Sequence, residues 1–387
     1  MYNVKTINDI SEVGIKRLIS LGCNVGENIS EPDGIIVRSE NLHGLVPNEN
    51  LLGIARAGAG YNNIPVERLT EEGIVVFNSP GANAEAVKEQ TLCSLVMASR
   101  DVLASIEFVK SIAGEGEKIA ELVEHNKSNF SGPELNGKTI GVLGLGATGA
   151  LVANACIALD MTVIGYDPFM SVEAAWRLSR DVKRADDLSE IFLNCDYISI
   201  NIPYNEKTFH LLDEKAFSMM KDGVRIINES RAEVVDDDAV ISALNSGKVG
   251  KYVTDFPNER LINQRNVIAL PHLGACTPES GDRCAEMAAR QLYDYFVNGN
   301  ITNSVNLPNT RLERMGVCRL CVIHRNVPGM INRILDFITE KNINVEHMIN
   351  KPRGKYAYTM IDLGESISKE TADTIKAMDN VLRVRIL

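Results

Sequence analysis

The middle of the chain alternates short apolar runs with longer stretches of helical periodicity. The apolar runs are rich in Val and Ile and predict strands at 35–39, 51–58, 74–78, 138–144, 161–167, 197–203, 224–230 and 266–271. The intervening stretches predict helices, the clearest of them at 84–112, 147–159 and 236–244. Strands and helices that alternate in this way form parallel βαβ units.

The pattern changes after residue 306. Residues 307–314 contain Pro, Asn and charged side chains, and they predict a linker. Residues 315–387 then run through strand, helix and strand twice, which predicts a small α+β domain of the ferredoxin-like type.

Composition excludes several classes of protein. A chain of 387 residues with 45% apolar and 24% charged side chains predicts two or three globular domains. No apolar run is long enough to span a membrane, and the N-terminus lacks the features of a secretory signal. The net charge of −11 argues against nucleic acid as a partner. Eight scattered cysteines predict free thiols and a cytoplasmic location.

A glycine-rich segment follows the strand predicted at 138–144. It places Gly144, Gly146 and Gly149 in the pattern G-x-G-x-x-G, directly before a predicted helix. The first glycine allows a tight turn, the second lets a pyrophosphate approach the backbone, and the third lets helix and strand pack closely. This context predicts a dinucleotide site.

The next predicted strand ends at Asp167. A carboxylate at this position accepts hydrogen bonds from a ribose and repels a 2′-phosphate, which favours NAD over NADP. The predicted helix begins with Ala147 and Thr148, whose free N–H groups would face the pyrophosphate. NAD is therefore the predicted cofactor.

Three polar residues follow strands beyond this motif: Arg231, Glu259 and His272. The oxidation of a 2-hydroxy acid needs such a set. Imidazole can take the hydroxyl proton near neutral pH, a carboxylate can fix the orientation of that imidazole, and a guanidinium can hold the substrate carboxylate with two parallel hydrogen bonds.

At these residues the chain resembles the D-isomer-specific 2-hydroxyacid dehydrogenases. The resemblance rests on RAGAGYNN (56–63), NSPGANAEAV (78–87), GKTIGVLGLGATG (137–149), NESR (228–231) and PHLGACT (271–277). It implies that Arg231 holds the substrate carboxylate, that Glu259 orients His272, and that His272 is the acid–base group. The chain departs from the family in having Ala232 after the arginine, and YVTDF rather than a DVF pattern before Glu259.

The resemblance also implies a discontinuous domain arrangement. Residues 1–85 with 275–306 would form the substrate domain, 86–274 the NAD-binding domain, and 315–387 a third domain after the linker. The expected fold class is α/β, with two doubly wound, Rossmann-like parallel sheets and the small C-terminal α+β domain.

The family pattern nominates residues for the substrate. Gly58 lies in the loop whose N–H groups meet the carboxylate, and Asn83 lies between substrate and cofactor. Arg38 and Ser39 match a pair found in the family's phosphoglycerate branch, which implies 3-phosphoglycerate as the substrate. Lys127 is a further candidate for the phosphate.

The C-terminal domain resembles an ACT domain, a module that binds amino acids. The resemblance rests on HRNVPGMINRIL (324–335) and NINVEHM (342–348). It implies an allosteric L-serine site made by His324, Asn326 and Asn344, and a homo-oligomer, either a dimer or a tetramer.

Other interpretations remain at this stage. The chain could be another NAD-dependent dehydrogenase of the family, acting on glycerate or lactate, or a non-catalytic regulator that senses NAD and an amino acid. A metal site at Cys318, Cys321 and His324 is not predicted, because residues three apart in a strand point to opposite faces.

Overall fold

The computed structural model describes residues 1–387, except for the side chain of Glu173. The chain divides into two compact units, one made of residues 1–82 and 278–387 and the other of residues 83–277. Within the described part of the chain, no helix combines the length and the apolar character needed to cross a membrane.

The first unit begins with a parallel sheet whose strand order is β2-β1-β3-β4-β5. The buried strands β3 to β5 lie at the predicted apolar runs. The elements are β1 (Asn3–Ile7), α1 (Glu12–Ser20), β2 (Asn24–Gly26), β3 (Gly34–Val37), β4 (Gly53–Arg56), α2 (Val66–Glu71) and β5 (Val75–Phe77).

The second unit is a larger parallel sheet with the order β12-β11-β10-β9-β6-β7-β8. The chain order reverses between β6 and β9, and ligands of such sheets bind beyond the carboxyl ends of the strands at this point. The elements are α3 (Ala84–Ser99), α4 (Val102–Ser111), α5 (Ile119–Asn126), β6 (Thr139–Leu143), α6 (Ala147–Ala158), β7 (Thr162–Tyr166), α7 (Val172–Arg177), β8 (Lys183–Arg184), α8 (Leu188–Asn194), β9 (Tyr197–Ile200), α9 (Glu214–Met219), β10 (Val224–Asn228), α10 (Asp237–Asn245), β11 (Val249–Thr254), α11 (Glu259–Ile262) and β12 (Val267–Ala269).

The single helix predicted at 84–112 is wrong, because α3 and α4 are separate helices. Arg100 is extended, with φ −126° and ψ 147°. Residues on either side of this break contact distant strands. Arg225 donates a hydrogen bond to the carbonyl of Ala98, and Lys251 forms an ion pair with Asp101. These contacts come from the sheet, so the local periodicity could not reveal them.

The C-terminal part returns to the first unit. After α12 (Pro278–Asn298), the chain forms an antiparallel sheet with the order β14-β15-β13-β16 and two helices. This confirms the predicted fold class, including the α+β module. The elements are β13 (Cys318–Arg325), α13 (Met330–Glu340), β14 (Val345–Arg353), β15 (Tyr356–Leu363), α14 (Lys369–Lys376) and β16 (Val381–Ile386).

A buried arginine joins this module to the rest of its unit. Arg319 of β13 forms an ion pair with Asp362 of β15, and both side chains are fully buried. Arg319 also donates hydrogen bonds to the carbonyls of Asn298 and Leu312. The segment 307–314 therefore packs against the module rather than lying free in solvent.

This pair generates a prediction about stability. Asp362→Asn leaves the Arg319 charge buried without its counter-ion, and we expect it to lower the free energy of unfolding by about 3–5 kcal/mol. Asp222→Asn, which removes an exposed partner of Lys248, is the matched control and should cost less than about 1 kcal/mol. Thermal and urea unfolding of both variants measures the difference, and equal losses would contradict the role given to the Arg319–Asp362 pair.

Candidate active site

The glycine-rich loop lies at the carboxyl end of β6, at the reversal of the strand order. Gly144 has a φ of +85°. A Cβ on Gly149 would lie 1.8 Å from the carbonyl oxygen of Gly144, so no larger residue fits there. Gly146 comes directly before α6 and faces open space, which leaves room for a ligand at the helix N-terminus. Ala147 and Thr148 form the first turn of that helix.

Asp167 follows β7 and closes one side of this loop. Its carboxylate accepts hydrogen bonds from the N–H groups of Leu145 and Phe169, at 2.9 and 2.8 Å. An open pocket beside it is lined by apolar residues, among them Leu145, Pro168 and Met170, and also by the charged residues Lys183 and Arg184. An adenine can pack against the apolar residues of this pocket, a ribose fits a carboxylate, and a pyrophosphate fits a helix N-terminus. The residues present therefore suit NAD.

Arg231 follows β10 at the same edge of the sheet. It is partly buried, and its guanidinium donates a hydrogen bond to the Ser230 carbonyl at 2.6 Å. Asn228 holds the turn, since its side chain donates to the Arg231 carbonyl and accepts from the Ser230 N–H. The turn thus fixes the backbone from which the guanidinium projects.

His272 follows β12, two strands from β10. It is exposed and has a φ of +58°, a conformation that non-glycine residues rarely adopt. The buried carboxylate of Asp255 accepts hydrogen bonds from the next two N–H groups, those of Leu273 and Gly274, at 3.0 and 2.6 Å. Phe256 packs edge-on against the His272 ring, with centroids 5.2 Å apart. Backbone strain at such a position is tolerated where neighbouring contacts hold it, and it is common at active sites.

Among the described residues, no hydrogen bond or ion pair joins Glu259 to His272. Glu259 is the exposed first residue of α11, and among the described residues its side chain has no hydrogen bond or ion pair. Asp255 is the carboxylate that contacts the His272 loop. A charged residue at the end of an apolar strand was the signal in the sequence that could have identified it.

The first unit carries the substrate residues predicted near the N-terminus. Arg38 and Ser39 are exposed at the end of β3 and line an open pocket with Asn8 and Asp9. Asn8 accepts hydrogen bonds from the N–H of Ser39 and of the following residue, at 3.1 and 2.7 Å. The sequence did not suggest this role for Asn8.

Gly58 is needed chiefly for its backbone conformation, which residues with a Cβ rarely adopt. Its φ is +153°, and a Cβ there would lie 2.0 Å from a guanidinium nitrogen of Arg56. Arg56 in turn donates a hydrogen bond to the Arg38 carbonyl at 2.9 Å. Arg56 therefore connects the loop of Gly58 to the loop of Arg38.

The other two substrate candidates belong to the second unit. Asn83 immediately precedes α3, and its side chain makes no capping hydrogen bond there. Lys127 is exposed at the end of α5 and forms an ion pair with Glu124.

The residues predicted to bind serine lie in the C-terminal module. His324 is buried in β13, where one ring nitrogen is 2.8 Å from Thr359 Oγ1 and the other 2.9 Å from the Arg325 carbonyl. Asn326 and Asn344 are exposed, and the Asn344 amide donates a hydrogen bond to Glu346 at 2.8 Å. The two asparagines are thus accessible, whereas the His324 ring already has two partners.

Comparison with known proteins decides the family. Residues 97–274, which contain the glycine-rich loop, Arg231 and His272, match the family model "D-isomer specific 2-hydroxyacid dehydrogenase, NAD binding domain". By this match, residues 97–274 form the NAD-binding domain of a D-isomer specific 2-hydroxyacid dehydrogenase. NAD is the cofactor of the domain that matches, as the sequence predicts.

Relatives of this dehydrogenase family extend the match beyond that domain. The chain is 30% identical over 343 residues to a D-3-phosphoglycerate dehydrogenase of Methanocaldococcus jannaschii, covering 86% of this chain and 63% of that protein. It is 35% identical over 287 residues to the Rattus norvegicus enzyme of that name, covering 72% and 51%. The chain thus spans about half to two thirds of the length of these relatives.

Solved structures of dehydrogenases share the fold. A glyoxylate reductase from Paecilomyes thermophila superposes with a TM-score of 0.65 at 25% identity, covering 79% of this chain and 98% of that one. An NAD⁺-bound 3-phosphoglycerate dehydrogenase of Entamoeba histolytica gives a TM-score of 0.61 at 25% identity, with the same coverage.

The packing of Gly149 generates a prediction about the cofactor. Gly149→Ala places a methyl group against the Gly144 carbonyl, so the loop must move away from α6, and we expect NADH affinity to fall at least tenfold, a change of about 1.4 kcal/mol. Gly114→Ala, whose Cβ would meet nothing within 4 Å, is the matched control. NADH fluorescence titration measures both affinities, and unchanged binding by Gly149→Ala would contradict this role of the loop.

Proposed function

We propose that this chain is a D-3-phosphoglycerate dehydrogenase, which oxidises 3-phosphoglycerate to 3-phosphohydroxypyruvate with NAD in the first step of L-serine biosynthesis. The observation that carries the proposal is the common edge of one parallel sheet, where Arg231 and His272 follow β10 and β12 and the glycine-rich loop follows β6. Identity to curated enzymes of this activity supports it.

The proposed mechanism divides the work among the side chains at this edge. Arg231 binds the substrate carboxylate, because a guanidinium matches a carboxylate with two parallel hydrogen bonds. His272 accepts the proton of the 2-hydroxyl group as carbon 2 is oxidised, and it returns a proton in the reverse reaction. NAD, when bound, accepts the hydride from carbon 2. Glu259 remains the family-based proposal for the group that orients His272.

Replacing the two catalytic residues tests the mechanism. His272→Ala removes the proton acceptor, and we expect kcat to fall by at least about 10²-fold, the scale of general acid–base catalysis. Arg231→Lys keeps the charge but loses the planar pair of donors, so kcat/KM should fall as well. The assay is NADH oxidation with 3-phosphohydroxypyruvate, and near-normal turnover by either variant would remove that residue from the mechanism. A wild-type chain without turnover on any 2-keto acid would instead favour the alternative that the chain is a non-catalytic regulator, which senses NAD and an amino acid.

Arg38 and Ser39 are the proposed phosphate ligands, with Lys127 as a further candidate. Their exposure at the end of β3 supports this role, because a phosphate needs accessible donors. Asp9 lines the same pocket, and its carboxylate disfavours a dianion. That observation favours a second candidate function, the oxidation of an unphosphorylated acid such as glycerate or lactate.

Arg38 separates these two functions. We expect Arg38→Ala to lower kcat/KM for 3-phosphohydroxypyruvate at least tenfold more than for hydroxypyruvate, because only the first substrate carries the phosphate. Lys16→Ala, which removes an exposed cation from α1, is the control. Equal losses on both substrates would support the unphosphorylated alternative.

We also propose that L-serine inhibits the enzyme by binding to the C-terminal module as an ACT domain. Asn326 and Asn344 are exposed, and each amide offers a donor and an acceptor for an amino acid. Burial lowers the pKa of His324, so this ring would act as a neutral support for the site rather than as a cation. Inhibition requires that serine bind one conformation better than another.

Titration with L-serine tests this regulation. We expect millimolar serine to inhibit the wild type, and Asn344→Ala to abolish inhibition while uninhibited turnover stays unchanged. D-Serine is the matched control ligand, because its groups cannot occupy the same positions. Calorimetry that detects no L-serine binding, together with full activity in its presence, would contradict the proposal.

The proposed assembly is a homo-oligomer, a dimer or a tetramer. Helix α4 presents Leu103, Ile106 and Val109, each about half exposed, at a spacing of three residues. An exposed apolar surface of this kind is typical of a subunit contact. A cytoplasmic location is also part of the proposal, and it is consistent with the free state of the described cysteines.

A further inference from the structure

One carboxyl group at the active-site edge has no part in the mechanism above. Glu229 lies between the end of β10 and Arg231, and its side chain turns towards α3 rather than towards the proposed substrate site. Ser94 Oγ lies 2.5 Å from Glu229 Oε1, and Thr91 Oγ1 lies 2.6 Å from Glu229 Oε2. The side chain therefore joins the Arg231 turn to the helix behind it.

The number of protons available for hydrogen bonds in this network indicates that the Glu229 carboxyl group is protonated. Thr91 Oγ1 lies 2.8 Å from the Val87 carbonyl as well as 2.6 Å from Glu229. A threonine hydroxyl has one proton and can donate only one full hydrogen bond. Both contacts are hydrogen bonds if the Thr91 hydroxyl donates to the Val87 carbonyl and a protonated Glu229 carboxyl group donates to Thr91 Oγ1. Ser94 then donates to the remaining carboxyl oxygen.

The charges around Glu229 favour the same state. Burial raises the pKa of Glu229 to about 7; the hydroxyl groups of Ser94 and Thr91 oppose that rise, and the negative charge of Asp255 adds to it. Asp255 holds the His272 loop through the N–H groups of Leu273 and Gly274. The ionisable groups at this edge are thus Asp255, Arg231 and His272, while the α3 side chains that contact Glu229 are the neutral hydroxyl groups of Thr91 and Ser94.

We propose that Glu229 is a positioning residue that works in its protonated form, holding the Arg231 turn against α3 and keeping a second negative charge away from Asp255 and the His272 loop. Ionisation leaves the network one proton short and adds a second negative charge to the electrostatic environment of Asp255. The inference rests on the proposed function for its effect on catalysis, whereas the protonation of Glu229 can be measured without turnover.

Glu229→Gln is the decisive variant, because glutamine keeps the shape and remains neutral at every pH. Its NH₂ can donate to Thr91 and its carbonyl can accept from Ser94. With a pKa of about 7, roughly nine in ten Glu229 side chains are ionised at pH 8. We therefore expect the kcat/KM ratio of Glu229→Gln to wild type to rise about fivefold or more from pH 6 to pH 8. Glu117→Gln, at an exposed carboxylate, should leave the ratio at one.

Two measurements test the protonation itself. When folding raises the pKa of a carboxyl group, the folded protein loses stability as the pH rises from the pKa of that group in the unfolded state to its pKa in the folded state. The Tm of Glu229→Gln should therefore increase relative to wild type between pH 5 and pH 8. Infrared difference spectra at pH 6 should show a protonated carboxyl C=O band in wild type that Glu229→Gln lacks.

The outcomes separate this inference from the proposed function. An inactive wild type that still shows the infrared band and the Tm difference would refute the activity and leave the protonated Glu229 intact. Superimposable pH profiles of Tm and kcat/KM for Glu229→Gln and wild type, with no band assigned to Glu229, would overturn the inference. Glu229→Ala, if it folds, should lose activity at every pH, and its full activity would overturn the positioning role.

Discussion

The parallel direction of the strands in residues 83–277 is the constraint on which the site depends. Strands that run in one direction end at one edge of the sheet, so residues far apart in the chain meet there without any further device. The glycine-rich loop, Asp167, Arg231 and the His272 loop follow four different strands and lie along this edge. The same edge carries Glu229 and Asp255, whose carboxyl groups face inward.

These inward carboxyl groups explain how a strained backbone is kept. His272 has a positive φ, which costs a non-glycine residue free energy on the order of 1 kcal/mol. Two charge-assisted hydrogen bonds from the following N–H groups to Asp255 offset that cost. An ionised Asp255 makes a second charge at Glu229 unfavourable, so the support of the His272 loop and the protonation of Glu229 depend on each other.

The C-terminal module shares a buried apolar core with α12 and β5 of its unit, and arginine side chains add hydrogen bonds to backbone carbonyls. Arg319 donates hydrogen bonds to carbonyl oxygens at the end of α12 and in the segment after it. Arg383 donates to carbonyl oxygens after β3 and after α2. Arg385 donates to two carbonyl oxygens of α12. The acceptors are backbone carbonyl oxygens, whose positions do not depend on the identity of the side chains. The position of the module therefore depends on the backbone of the segments that it contacts. A ligand on the module would therefore act on the sheet of β1–β5 through a packed interface.

Local patterns in the sequence determined the class of fold, the dinucleotide loop and the strand ends that carry Arg231 and His272. Each of these depends on neighbours in the chain. Apolar periodicity predicts a strand, and three glycines in the pattern G-x-G-x-x-G predict the loop. Tertiary structure alone decided the break at Arg100, the position of Asp255 behind the His272 loop, the exposure of Glu259 and the burial of His324. These features depend on contacts between residues far apart in the chain, and no short segment specifies such contacts or the sharing of protons across them.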